Sequence, residues 1–235
     1  MSDTARSGGV AFSGEEMNWM ELLQTALPVM LAGAGYTLMF AVTSMVLGLA
    51  LGFAVALLRV ARVPVLAPIA ATYVSLMRGT PLLVQIFVIY YGLPSVGIEF
   101  SPVPAGILAL TLNVAAYLSE SMRGALAGVE RGQWDAGLSL GFTWWQSMRY
   151  IIAPQALRLA VPSLANSLIS LIKDTSLVSV ITVGELMLAT KDVIAQTFQP
   201  LPLYLAAAGI YWLLSFLFER VQKRVETRLA VAHRH

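Results

Sequence analysis

The chain contains no cysteine, which excludes a disulfide framework, a thiolate metal site and a cysteine nucleophile. Its two histidines, His233 and His235, lie at the extreme C-terminus and argue against an imidazole-based metal or proton-relay site. Charge is scarce. Asp, Glu, Lys and Arg make up 12% of the 235 residues, against about a quarter in soluble domains. A surface with so few charges does not face water over most of its area. No G-x-x-x-x-G-K-[ST] phosphate loop occurs, so the usual cradle for ATP is missing. Residues 1–20 are polar and acidic, without a basic leader, so no cleavable signal peptide is expected. The ten-residue alternation of a transmembrane barrel is also absent.

What is present is apolar. The hydrophobic share is 57% and the mean hydropathy is +0.73. Several runs approach the ~20 residues needed to cross a bilayer. The expectation is an all-α integral membrane protein with five spans: about Leu31–Leu58, Leu66–Gly92, Pro104–Leu126, Ala160–Leu186 and Leu203–Phe218. The second is interrupted by Arg78-Gly79-Thr80-Pro81, and the fourth carries Lys173-Asp174 in its middle.

Basic residues set orientation. Arg59, Arg62, Arg123, Arg131, Arg149, Arg158, Arg220, Lys223, Arg224, Arg228 and Arg234 fall on one side. Asp3, Glu15, Glu16, Glu21, Glu99, Glu185 and Asp192 fall on the other, with Arg6 and Lys191. The N-terminus is therefore expected outside and the C-terminus in the cytoplasm. The chain divides into an outer N-terminal segment (1–28), a transmembrane domain (29–222) with a polar loop at about 127–160, and a basic tail (223–235). Membrane lipid is an expected partner and nucleic acid is not.

Ser44, Gly48, Gly52 and Ala56 recur every four residues on the first span, a stripe that lets another helix approach closely. Packing within one subunit is the simpler use of it. Ionisable residues inside a span need a partner or a water-filled cavity. Arg78, Glu120, Lys173 and Asp174 qualify. Lys173 and Asp174 are adjacent, point about 100° apart on a helix, and must look to other elements. Glu120 is a candidate partner for Lys173 or Arg78, and Asp174 for the remaining cation. Asn113, Tyr117 and Glu120 share a face of span three; Ser163, Ser167, Ser170 and Asp174 share one of span four. These faces either line a cavity for a zwitterion or fix helix register through ion pairs, with Arg78 and Lys173 better suited to the second role. Thr80-Pro81 frees backbone carbonyls, tolerated in a membrane only inside protein or beside a cavity. Gln85, one turn on, belongs to the same place.

In the polar loop, Gly132 and Gln133 precede a helical stretch that Gly141 stops. Thr143 is an N-cap for a second stretch, which Pro154 ends. Trp144 and Trp145 suit a membrane interface or a protein groove. On these signals alone, the loop is either an interfacial connector or a docking element.

The triplet Asp135-Ala136-Gly137, then Gly141, then Ile151-Ile152-Ala153-Pro154, resembles the EAA loop of ABC importer permeases, with Asp for Glu and Ala153 for Leu. Other motifs extend the likeness over about residues 30–220: Gly35-Tyr36-Thr37-Leu38, Arg78-Gly79-Thr80-Pro81-Leu82, Tyr90-Tyr91-Gly92-Leu93-Pro94, Asn113-Val114-Ala115-Ala116-Tyr117 with Glu120, and Lys173-Asp174-Thr175-Ser176-Leu177. The chain is similar to the polar amino acid permeases of ABC importers and, within them, to the L-cystine permeases. The resemblance implies the MetI-like type I importer fold and a multi-pass protein of the bacterial inner membrane. It also implies transport by alternating access, with L-cystine as the expected substrate. The chain itself would bind no cofactor and catalyse no reaction; ATP and Mg would sit on a pair of partner ATPase subunits. A second permease subunit, forming a homodimer, and a periplasmic or lipid-anchored binding protein complete the set. Thr80, Gln85, Asn113, Tyr117, Glu120, Ser170 and Asp174 are the pathway candidates. Gln133, Asp135, Ala136, Gly137, Gly141, Trp145 and Pro154 are the coupling candidates. The competing expectation is an ion-coupled secondary carrier with Glu120 or Asp174 as the proton site. Small size and lack of internal repeats weigh against it.

Overall fold

The computed structural model describes residues 19–231, which are helical or connecting, with no strand among them. In chain order the helices are α1 (Trp19–Val60), α2 (Leu66–Gly79), α3 (Leu82–Phe87), α4 (Pro102–Ala127), α5 (Arg131–Ser139), α6 (Trp144–Ser147), α7 (Ala153–Asp174), α8 (Leu186–Thr197) and α9 (Pro200–Val231). Four stretches are long and apolar enough to cross a membrane: Trp19–Val60, Pro102–Ala127, Trp144–Ile181 and Pro200–Thr227. A fifth crossing exists if Leu66–Gly79 and Leu82–Val96, bent by 109° at Thr80-Pro81, count as one.

α4 is the centre of the bundle and touches α1, α2, α3 and α7. Its seam with α1 is made by small residues. A methyl added at Gly52 would stand 2.8 Å from the Ala115 carbonyl oxygen and 3.0 Å from Leu118 Cβ. One added at Gly48 would stand 2.5 Å from a Val114 methyl. The four-residue stripe thus serves packing within the subunit. Phe40, Leu110, Leu118, Ile172 and Ile181 fill the main core around it.

α1 runs 42 residues, about 63 Å at 1.5 Å per residue. It starts twelve residues before the expected span because Leu22, Ala26 and Met30, four apart, bury against Leu186, Val193, Leu203 and Ala207 of α8 and α9. Residues 19–28, assigned from sequence to an outer segment, therefore belong to the first helix. Asp3, Arg6, Glu15, Glu16, His233, Arg234 and His235 lie outside the described residues.

Two further corrections concern span four. Lys173 and Asp174 end α7 rather than occupy its middle, and a 3-10 turn carries the span on to Ile181. Leu186 opens the separate helix α8. Glu185 is not a solvated charge. It is fully buried and caps α8 by accepting from the Leu188 N–H at 3.0 Å. Tyr211 of α9 donates to its Oε2 at 2.6 Å, and Thr37 of α1 donates to the same oxygen at 3.3 Å. Thr37 Oγ1 in turn accepts from the Leu186 N–H. One carboxylate thereby ties α1, α8 and α9 together.

Gly52→Leu is expected to destabilise the purified subunit by about 1–3 kcal/mol through overpacking, read as thermal unfolding in detergent. Gly35→Ala, where nothing lies within 4 Å of the added methyl, is the matched control and should not lose stability.

Candidate functional site

The bend at Thr80-Pro81 leaves carbonyls at the end of α2 without helical partners, since proline supplies no N–H. The Gln85 amide takes them up. Its Nε2 donates to Met77 O at 2.8 Å, to Thr80 O at 3.1 Å and to Thr80 Oγ1 at 2.9 Å. Gln85 Oε1 accepts from Asn113 Nδ2 of α4 at 3.0 Å. Tyr73 of α2 adds a bond to Leu112 O at 2.6 Å. The break is thus pinned to α4 by side-chain amides.

Beside it opens a cavity of about 570 Å³ between the bend, α4 and α7. Thr80, Asn113, Tyr117, Ser170 and Asp174, all singled out from sequence, line it, as do Ser163, Asn166 and Ser167. Asp174 makes no hydrogen bond or salt bridge among the described residues. Ser121 and Ser163 hydrogen-bond across the cavity at 2.7 Å. The Arg78 guanidinium lies over the Tyr117 ring, 5.4 Å from its centroid. The lining holds hydroxyl and amide donors for a carboxylate, a free carboxylate for an ammonium, and one aromatic wall. It holds no cluster of metal-ligating residues among those described.

Gln85 and Glu120 stand elsewhere. Gln85 is buried behind the lining, where it braces Asn113. Glu120 is the hub of an ion cluster: Arg59 of α1 donates to Oε1, Arg123 to Oε2 at 2.8 Å, and Arg78 approaches at 3.9 Å. Of the two candidate partners for Glu120, Arg78 is the one it meets and Lys173 is not, and Asp174 forms no salt bridge with the remaining cation among the described residues. Lys173 is exposed and makes no salt bridge among the described residues. Glu120 meets three arginines instead, Arg59 of α1, Arg78 at the end of α2 and Arg123 on its own helix.

The polar loop forms the second surface. Gln133 lies within α5 rather than before it. The helix ends in a Schellman pattern: Phe142 N–H to Gly137 O, Gly141 N–H to Leu138 O, with Gly141 at φ 77°. Thr143 and Gln146 cap α6 reciprocally. Pro154 does not end this stretch. A π turn over Met148–Ile152 shifts the hydrogen-bond ladder ahead of it, and Pro154 falls in the first turn of α7, where no N–H is required. Gly137 packs on Ser147, Gln155 bonds Gln133 at 3.0 Å, and Trp134 stacks on Trp144. Asp135, Ala136 and Trp145 remain exposed.

Residues 48–231 match the family described as the binding-protein-dependent transport system inner membrane component. The chain belongs to that family. The permease is 40% identical over 219 residues to the probable amino-acid ABC transporter permease protein YckA of Bacillus subtilis (strain 168), covering 91% of this chain and 97% of the relative. It is also 40% identical over 217 residues to the L-cystine transport system permease protein TcyB of the same organism, covering 92% and 93%. Among solved structures it is similar to a crystal structure of an amino acid ABC transporter with histidines, at TM-score 0.86 and 30% identity over 91% of this chain and all of that one. An inward-facing MetNI methionine ABC transporter shares the fold, at TM-score 0.67, 20% identity, and coverage of 89% and 97%. The permease is thus the membrane subunit of an amino-acid ABC transporter of the inner membrane. It is not an enzyme, and the ATPase is a separate subunit; the family works with an ATPase and a binding protein.

Sequence reasoning missed the Arg59–Glu120 pair and the Glu185 knot. The second had a local signal: a carboxylate three residues ahead of Leu188 at the start of an apolar helix is an N-cap pattern. The first had none, because its partners are 61 residues apart.

Gln85→Leu removes the side-chain donor to Thr80 O, one of two side-chain donors to Met77 O and one of two acceptors of Asn113 Nδ2. Leaving buried polar groups unmatched costs about 1–3 kcal/mol. The variant permease should unfold at lower temperature in detergent, whereas Lys173→Gln, at an unpaired exposed site, should not.

Proposed function

We propose that this permease carries L-cystine across the inner membrane by alternating access, as a homodimer joined to two ATPase subunits and served by an extracytoplasmic binding protein. The polar cavity at the α2–α3 break carries the reading. Its 570 Å³ falls within the ~300–1,000 Å³ typical of small-molecule sites. Asp174 offers an acceptor to an ammonium, and Asn113, Thr80 and the serines offer donors to a carboxylate. Cystine has two such zwitterionic ends, and the run of Ser163, Asn166, Ser167, Ser170 and Asp174 along α7 presents polar groups at successive depths. Similarity to an L-cystine permease supports the choice of substrate.

The exposed Asp135, Ala136 and Trp145 and the apolar tips Leu138 and Leu140 form the ATPase docking surface in this reading. Gln133, Gly137, Gly141 and Pro154 shape it from behind. ATP and Mg bind the partner, whose closure draws residues 131–155 with it. α7 runs on from that segment to the cavity, so a displacement at Trp144 is transmitted to Asp174. The N-terminus faces outward and the C-terminus the cytoplasm, where the basic residues cluster.

The test is uptake into proteoliposomes holding permease, ATPase and binding protein, with labelled cystine, glutamine and arginine compared. Cystine uptake should require enclosed ATP. Asp174→Asn should lower it about tenfold or more, the weight of one charge-assisted hydrogen bond. Glutamine uptake equal to that of cystine would sink the substrate assignment. Uptake without an ATPase, abolished by an uncoupler, would instead mark an ion-coupled carrier. Separately, Asp135→Lys should abolish co-purification of the ATPase while leaving the permease folded.

A further inference from the structure

Two cavities other than the polar one lie along a single seam, where the end of α1 faces the continuous helix from Trp144 through α7. The first is an apolar slot of about 120 Å³ lined by Phe53, Leu57, Met122, Leu126 and Leu157, with Ala153, Ala156 and Ala160 as its small-residue wall. The second, one helical turn along α1, is a wider cleft of about 800 Å³ between the Val60–Pro64 turn and Trp134, Trp144 and Trp145. Val60 lines the cleft and packs on the core of Met148, Ile152 and Ala156, of which Met148 and Ala156 line the slot. Phe53, Ala56, Leu57 and Val60 recur at three- and four-residue steps, so they share one face of α1, and the turn that follows brings Pro64 to the cleft. The facing helix repeats this with Trp145, Met148, Ala156, Ala160 and Leu164.

The seam changes character along its length. No charged residue lines the slot. The cleft has one, Arg62, which is exposed and makes no salt bridge among the described residues. No acidic residue lines either cavity. Three tryptophans beside an unpaired cation at the end of a spanning helix mark the headgroup level, where amphipathic rings settle. An occupant must therefore be apolar at one end and anionic at the other.

We propose that this seam binds a membrane phospholipid with an anionic headgroup, one acyl chain in the Phe53–Leu157 slot and the phosphate beside Arg62 among the tryptophans. Because the cleft is walled by Trp134 and Trp144 of the polar loop, the lipid is wedged between α1 and that loop and holds their separation. The proposal does not depend on which amino acid the polar cavity takes.

Native mass spectrometry of the permease–ATPase complex, released from nanodiscs of equal phosphatidylglycerol and phosphatidylcholine, tests it. The wild type should retain phosphatidylglycerol over phosphatidylcholine by about fivefold, the ratio that one basic residue near a membrane surface contributes. Arg62→Gln, a surface change, should keep the lipid but erase the preference. Ala153→Phe, which fills the slot, should shed the lipid altogether. Equal retention of both lipids by the wild type, or a preference unchanged in Arg62→Gln, would overturn the headgroup assignment. Undiminished retention in a folded Ala153→Phe complex would overturn the slot. A wild-type complex that holds no lipid, with a photo-crosslinker at position 62 capturing the ATPase from inside the cleft, would show that the cleft is a protein contact instead.

Discussion

Everything at the centre of this permease depends on how the broken second span satisfies its backbone. In hydrocarbon, an unpaired carbonyl costs several kcal/mol, so a 109° bend survives only with internal donors. Gln85 provides them, and Asn113 ties Gln85 to α4. The same arrangement lays Thr80 and Asn113 open to one side. Satisfying the break and lining the cavity are thus two consequences of one hydrogen-bond set.

A second constraint is the closeness of α1 and α4. With Gly48 and Gly52 at the seam, the backbones approach until a Cβ no longer fits. That approach brings Arg59 within reach of Glu120, which also holds Arg123 and faces Arg78. Glu120 is therefore spent on α1, the α4 side chains and the edge of the bend. Asp174, across the cavity, is left without a cation. Two intramembrane carboxylates that look alike in sequence thus acquire different uses: one locks helices, the other faces space.

At the far end of the bundle, Glu185 repeats the first kind. It caps α8 and draws hydroxyls from α1 and α9, so the long N-terminal helix is held by carboxylates near its middle, at Thr37, and at its C-terminal end, at Arg59. On the loop side, the π turn before Pro154 keeps α6 and α7 in one continuous rod. A helix ended at Pro154 would have uncoupled the polar loop from the cavity, whereas the rod joins Trp144 mechanically to Asp174.

Much of this was legible in the chain. Hydropathy marks the spans because lipid imposes their length, and the interruption at Arg78-Gly79-Thr80-Pro81 is local chemistry. The polar faces on spans three and four follow from helical period, and Gly141 and Thr143 announce their turns. What the sequence could not decide was pairing. Whether Glu120 meets Lys173 or Arg59, whether Glu185 is solvated or buried, and whether Gln85 faces the cavity or braces it all depend on which helices touch and how closely. The first two follow from close contacts of Gly48 and Gly52 with α4 and of Gly33 with α8, the third from the Gln85–Asn113 bond between α3 and α4; a small-residue stripe or an N-cap pattern marks where a helix can approach or begin, not which partner it meets. Composition and period determined the elements by themselves; the choice of partner for each charge belonged to the tertiary structure, because a charge in low dielectric is governed by its nearest neighbours in space.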